Sequence, residues 1–108
     1  MPIQLAFQSE RIRGMCESLV SAKRRLGKTA GLSLSARLAD LRAAASPQDL
    51  VDLGLAMFSS DQSRIVIPLD EGYFIEVASN HRMVPTKSGK LDWRGVTRVK
   101  ILSIERTE

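Results

Sequence analysis

Residues 64–77 read RIVIPLDEGYFIEV, and this stretch constrains the fold more than any other. Ile65, Ile67 and Leu69 alternate with Arg64, Val66 and Pro68; Tyr73, Ile75 and Val77 alternate with Phe74, Glu76 and Ala78. A period of two on both sides of Asp70-Glu71-Gly72 predicts a β-hairpin with one apolar face. Pro68 has no amide proton to donate, so its strand is predicted to lie at a sheet edge or to end there. An apolar sheet face must be covered, and the chain before residue 54 supplies the cover.

That earlier part begins with another alternation, Ile3, Leu5 and Phe7 against Gln4, Ala6 and Gln8, which predicts an N-terminal strand. Ser9 is placed to cap a helix with Glu10 in its first turn. Ile12, Met15, Cys16, Leu19 and Leu26 recur at helical spacing, the cations Lys23, Arg24 and Arg25 fall in the last turns, and Gly27 is a stop signal. Leu34, Leu38, Leu41 and Ala45 form one stripe of a second helix, predicted to start at Leu32 or Ser33 because Gly31 weakens a first turn. Ser46 as cap, Pro47 at the first helical position and Asp49 three residues after the cap predict a short helix ended by Gly54. Residues 79–95 read as a polar loop, and Thr97 to Ile101 as a last strand with Val99 and Ile101 on one face and Arg98 and Lys100 on the other. The order predicts a single α+β domain: an N-terminal strand, a helical hairpin plus a short helix, then a mainly antiparallel sheet with the helices on one face.

Charge is segregated along the chain. Residues 1–39 hold seven Lys/Arg and two acids, residues 40–76 two and seven, residues 77–108 seven and three, giving +5, −5 and +4. Basic ends around an acidic middle suit an anionic partner on one surface and a cationic one on another; chance asymmetry and solvated faces are the plain alternative. One Cys (Cys16) and one His (His81) exclude an intrachain disulfide and a Cys/His zinc site, so no metal or cofactor is expected. No run of about 18 apolar residues is present and the N-terminus lacks a signal-peptide pattern, so a cytoplasmic protein is the simplest expectation.

Arg98 and Lys100, two apart on a strand, stand about 6.5–7 Å from each other, a spacing that suits two contacts to one phosphodiester or a solvated strand face. Arg64 alternates onto the polar face of the hairpin and is a candidate for the same cleft. Tyr73 can donate a proton, stack on a base or pack in the core. His81, beside Arg82 in the polar loop, is the one side chain whose ordinary titration lies near neutrality. Glu105 follows the last strand as a candidate base or as a member of a fold-terminal ion pair. Lys23, Arg24, Arg25 and Lys28 form the densest basic cluster, a surface for non-specific phosphate contact or a solvated helix end. Trp93 is read as a packing residue of the loop, and Cys16 as core.

Three stretches, together with the overall size and order, carry a resemblance: ARLADLRAAASPQDL, PLDEGYFIEV and VPTKSGKLDWRGVTRVKILSIE. The chain resembles the RelE/ParE superfamily of bacterial toxins, closest to the HigB-type "killer" proteins. In the third stretch Leu91, Asp92, Trp93, Val96, Val99, Lys100, Ile101, Ile104 and Glu105 fit a subgroup pattern. The resemblance implies a compact RNase-type fold, metal-independent cleavage of messenger RNA in the ribosome, and neutralisation by an antitoxin, commonly a helix-turn-helix protein. It places Lys100 where the family's last strand carries a basic residue. Phe74 stands where the family commonly has Arg after the hairpin Tyr, and Arg106-Thr107-Glu108 stands where many members end in Asp-Tyr-His. Three functions follow as expectations: an endoribonuclease toxin, a toxin-fold binding or regulatory module without nuclease activity, and a gyrase poison of the ParE kind.

Overall fold

The computed structural model describes residues 3–83 and 85–107. Among these residues seven strands and four helices follow one another as β1 (Gln4–Phe7), α1 (Glu10–Glu17), α2 (Leu19–Leu26), α3 (Lys28–Ala43), α4 (Pro47–Asp52), β2 (Met57–Phe58), β3 (Arg64–Pro68), β4 (Tyr73–Ser79), β5 (Thr86–Lys87), β6 (Lys90–Leu91) and β7 (Arg98–Arg106). The class is α+β, as the residue pattern predicts. The main sheet has strand order β1-β7-β4-β3-β2, and β5 with β6 forms a separate two-stranded ribbon. The pair β1–β7 is parallel and the remaining pairs of the main sheet are antiparallel, so the sheet is mixed.

The helices cover one face. Leu34, Leu38 and Leu41 of α3 and Leu50 of α4 meet Ile65, Ile67, Ile75, Val77, Val99 and Ile101 of the sheet, all essentially without solvent contact. Burial of these branched aliphatic side chains is the main stabilising term, roughly 1.5–3 kcal/mol for each. Ser33 Oγ of α3 accepts from the amide of Asp70 at 3.1 Å, tying the helix to the hairpin turn. That turn is tight: Glu71 and Gly72 have φ of 62° and 78°, and the Leu69 amide donates to Tyr73 O at 2.7 Å. Pro68 is the last residue of β3, as its missing amide proton requires.

Several local expectations are corrected. The helix read from Glu10 to Leu26 is two helices, broken at Ser18, which lies in extended backbone and whose Oγ accepts from the Ser21 amide to cap α2. Ser9 does cap α1 through the Ile12 amide, and Gly27 does end α2 with φ of 93°. Helix α3 starts at Lys28, four or more residues before the expected Leu32 or Ser33. Gly31 is inside it because α2 passes directly over it: a Cβ there would lie 2.8 Å from Lys23 N and 2.9 Å from Lys23 Cα. Ala45 falls outside the helix and is exposed. Ser46 makes no side-chain capping bond; Asp49 Oδ2 instead accepts from the Ala45 amide at 3.0 Å. The loop 79–95 contains the ribbon β5–β6 and a single 3₁₀ turn, Trp93–Gly95. The last strand runs to Arg106, five residues beyond Ile101.

Candidate functional site

The face of the sheet turned away from the helices carries the candidate chemistry. Strand alternation puts Arg98 and Lys100 of β7 on that face, because Val99 and Ile101 beside them are buried. Opposite them, Phe74, Glu76 and Ala78 of β4 alternate with buried Ile75 and Val77, and Arg64 and Val66 of β3 alternate with buried Ile65 and Ile67. The register aligns Ala6, Lys100, Ala78 and Arg64 in one row across four strands. Lys100 and Arg64 are therefore two strand spacings apart, roughly 10 Å, with only the methyl of Ala78 between them.

Glu76 stands one outward step from Ala78 along β4, roughly 7 Å away. Arg64 Nη1 donates to Glu76 Oε1 at 2.7 Å, and Ser103 Oγ lies 3.5 Å from Glu76 Oε2. The Glu76 carboxylate holds the Arg64 guanidinium above its already high ordinary pKa. An Arg has five N–H donors, and this pair engages one of them. Glu76 is a site residue that the sequence pattern does not single out. Its outward phase is legible from the alternation of residues 73–78; its diagonal contact with Arg64 depends on the cross-strand register.

The other predicted residues scatter around this face. Leu102 has no partner in β4, since Glu76 pairs with Ser103 and Val77 with Ile101. This bulge shifts the outward phase of β7, so that Ser103 and Glu105 face outward beyond it. Glu105 pairs with Phe74, four residues along β4 from Ala78, or roughly 13 Å from the Lys100 row. Tyr73 lies on the helix side, half-buried, with the Arg106 guanidinium 5.6 Å from its ring centroid. Lys28 borders the same depression as Tyr73 and Arg106, at the far end of the sheet from Lys100. Lys23, Arg24 and Arg25 belong to the last turn of α2, so this cluster and the outer face are separate surfaces.

His81 has a structural task. Its Nε2 accepts from the amides of Thr97 and Arg98, at 2.9 and 3.2 Å, and so fixes the start of β7. The single lone pair of Nε2 is engaged by these two amides, so this nitrogen serves the backbone. Arg82 next to it is exposed. Trp93 is buried, and its Nε1–H donates to the carbonyl of Gln62 at 2.9 Å, joining the 79–95 segment to the turn before β3. In that turn Asp61 accepts from Ser63 Oγ, Ser63 N and Ser59 Oγ, which together lower its pKa to about 2.

The acidic middle segment is largely used internally. Asp40, Asp52 and Glu76 form ion pairs with Arg37, Arg94 and Arg64, while Asp49 and Asp61 accept local hydrogen bonds. Of that segment's acids, Asp70 and Glu71 make no such side-chain contact among the described residues. Among the described residues no group of three His, Cys, Asp or Glu side chains is arranged to hold a metal, and no helix is long and apolar enough to cross a membrane.

What the outer face can do follows from its charges. Two long cations flank a small floor, and a carboxylate is held beside them; the set can bind a phosphodiester, stabilise added negative charge on it, and accept a proton nearby. Comparison with protein-family models, with curated proteins and with solved structures finds no match to this chain.

Proposed function

We propose that this protein is a toxin of the RelE/ParE kind, which acts on messenger RNA at the ribosome in the cytoplasm and is held inactive by a partner antitoxin. The likeness of residues 84–105 to that superfamily supports the family. The observation that carries the RNA reading is the row Lys100–Ala78–Arg64 with Glu76 beside it on the uncovered face.

In this reading the RNA backbone lies over Ala78. Arg64, Lys100 and Arg98 take the phosphate oxygens. Glu76 accepts the proton of the ribose 2′-OH as that oxygen attacks phosphorus, and the cations stabilise the extra charge of the five-coordinate phosphorane. The P–O5′ bond breaks, the 5′ oxygen takes a proton from Lys100 or from water, and the product strand ends in a 2′,3′-cyclic phosphate. Arg64 has two duties: it fixes the Glu76 carboxylate through one N–H and offers its remaining donors to phosphate.

A second reading, binding without cleavage, is favoured by one observation. The Arg64–Glu76 contact engages the carboxylate beside the row, and His81 is committed to the backbone. Induced expression followed by mapping of RNA ends separates the readings, with Lys100→Ala and Arg98→Ala alongside. Growth arrest with new RNA ends, abolished by Lys100→Ala, supports the nuclease. Arrest with intact RNA and a DNA-damage response points to gyrase and removes the RNA reading. No arrest leaves the binding module.

A further inference from the structure

The ribbon β5–β6 turns through Ser88 and Gly89, whose φ values of 54° and 78° are those of a two-residue type I′ hairpin turn. The residues that close this turn are Lys87 and Lys90, paired directly across the ribbon and both exposed. Like charges directly opposite each other destabilise a hairpin. Nothing in the turn geometry requires lysine at either place.

Two depressions meet at Lys90. One, of about 420 Å³, runs between the ribbon and the turn of Ser60, Asp61, Gln62 and Ser63, next to Arg64. The other, of about 360 Å³, is bordered by Lys87, Lys90 and Arg94, with Phe58, Gln48 and Gln62 along its wall. Both fall in the range of about 300–1,000 Å³ usual for small-ligand sites. The second combines three cations, a half-buried aromatic ring and two glutamines, of which Gln48 donates to Asp52 at 3.0 Å; these are residue types that bind a phosphate, stack on a base and read its edge. Of these cations, Arg94 is paired with Asp52 at 3.1 Å. The carboxylates nearby are also occupied: Asp61 by Ser59 and Ser63, and Asp92 Oδ1 by the Arg94 amide.

We propose that the ribbon β5–β6 is a second grip on single-stranded RNA, in which Lys87 and Lys90 clamp a phosphate and the adjoining depression receives one nucleotide of the strand whose backbone crosses the Lys100 row. The inference rests on the RNA reading above and extends it by a subsite. A strand leaving Ala78 past Arg64 meets the Ser60–Ser63 cleft first and Lys90 next. An anion between Lys87 and Lys90 converts their mutual repulsion into two attractions.

The test is the salt dependence of binding to a labelled, 2′-O-methylated single-stranded RNA of about ten nucleotides, which cannot be cleaved. Fluorescence anisotropy is followed between about 50 and 200 mM KCl. Removing one cation from a phosphate lowers the slope of log K against log salt by about 0.7 for a single strand. The Lys87→Gln/Lys90→Gln double variant is expected to lower it by about 1.4, Lys100→Ala by about 0.7, and Lys87→Arg/Lys90→Arg to restore the wild-type slope. A double variant that binds like wild type while Lys100→Ala is weakened overturns the subsite and leaves the sheet-face reading standing. A weakened double variant with an unaffected Lys100→Ala supports the ribbon as an RNA grip and removes the sheet-face site instead. RNA that fails to bind the wild-type protein, or that polyglutamate displaces at equal charge concentration, overturns the proposal. The double variant should unfold at the same urea concentration as wild type or a higher one, since it loses a like-charge pair.

Discussion

The same substitution, Gly→Ala, is expected to act in opposite directions at two helical positions. Gly31 lies inside α3, where an added Cβ would meet Lys23 N at 2.8 Å, Lys23 Cα at 2.9 Å and the Ala22 carbonyl carbon at 3.0 Å. These are backbone atoms of α2 and cannot rotate aside. Reaching an ordinary contact of about 3.4 Å forces α2 and α3 apart by roughly 0.6 Å, an overpacking that costs about 1–3 kcal/mol. The intrinsic helix preference of Ala over Gly returns about 0.8–1.0 kcal/mol. Gly31→Ala should therefore destabilise the protein by up to about 2 kcal/mol. Gly14 lies inside α1 with nothing within 4 Å of an added Cβ, so only the preference remains, and Gly14→Ala should stabilise by about 0.5–1 kcal/mol. Urea unfolding of the two variants measures both, and thermal unfolding should separate them by on the order of 10 °C, at about 4–8 °C per kcal/mol for a domain near this size. A Gly31→Ala variant stabilised as much as Gly14→Ala would refute the close approach of α2 to α3.

Further outcomes follow from single contacts. Trp93→Phe removes the Nε1–H bond to the Gln62 carbonyl and should cost about 1–2 kcal/mol, read by urea unfolding with far-UV circular dichroism. His81→Ala strips the acceptor from the Thr97 and Arg98 amides, and their hydrogen exchange should quicken relative to that of Val99. Burial pushes the Cys16 thiol up to about 11, Arg42 opposing and Glu17 adding, so at pH 8 only about one native thiol in a thousand is ionised. Iodoacetamide should accordingly label Cys16 slowly in the native state and quickly in urea. The raised native pKa means that the neutral thiol's contribution to stability is complete below the unfolded value near 8.5–9 and is lost as pH rises through about 11. For Asp61 the sign is reversed: a native pKa of about 2 gives stability that is present above the unfolded value near 3.9 and disappears as pH falls through about 2. The urea midpoints of wild type and Asp61→Asn should differ at pH 6 and converge near pH 2.

The sequence is most legible where structure is set by near neighbours. The hairpin around Asp70-Glu71-Gly72, the Leu34/Leu38/Leu41 stripe, the Ser9 cap and the Gly27 stop all follow from spacing of a few residues, and each stands in the structure. Features set by distant contacts are hidden. The break at Ser18 leaves the helical spacing of Met15, Cys16 and Leu19 nearly intact, so periodicity passes over it. Gly31 reads as a weak helix start until α2 is seen lying against it. The two-residue strands β5 and β6 are too short to show alternation. On the outer face, the outward phase of Arg98, Lys100 and Arg64 is readable from alternation, because each stands next to a buried strand residue. The alignment of Lys100 with Arg64 in one row is not, because it depends on the register of three strands. The bulge at Leu102 separates Glu105 from that row, and Glu76 takes its place beside the cations.

In the proposed function RNA lies over Ala78 between Lys100 and Arg64. Ala78→Phe tests it most directly, since it adds a ring to the floor at a half-exposed strand position where aromatic residues are well tolerated, and removes no charge. The measurement is the yield of new messenger RNA 5′ ends after induction of wild type and of Ala78→Phe at matched protein level and melting temperature. The account predicts new ends with the wild type and a loss on the order of a hundredfold with the variant, as for a strand held out of reach of its cations. An undiminished yield from the folded variant, or no new ends from the wild type, would contradict it.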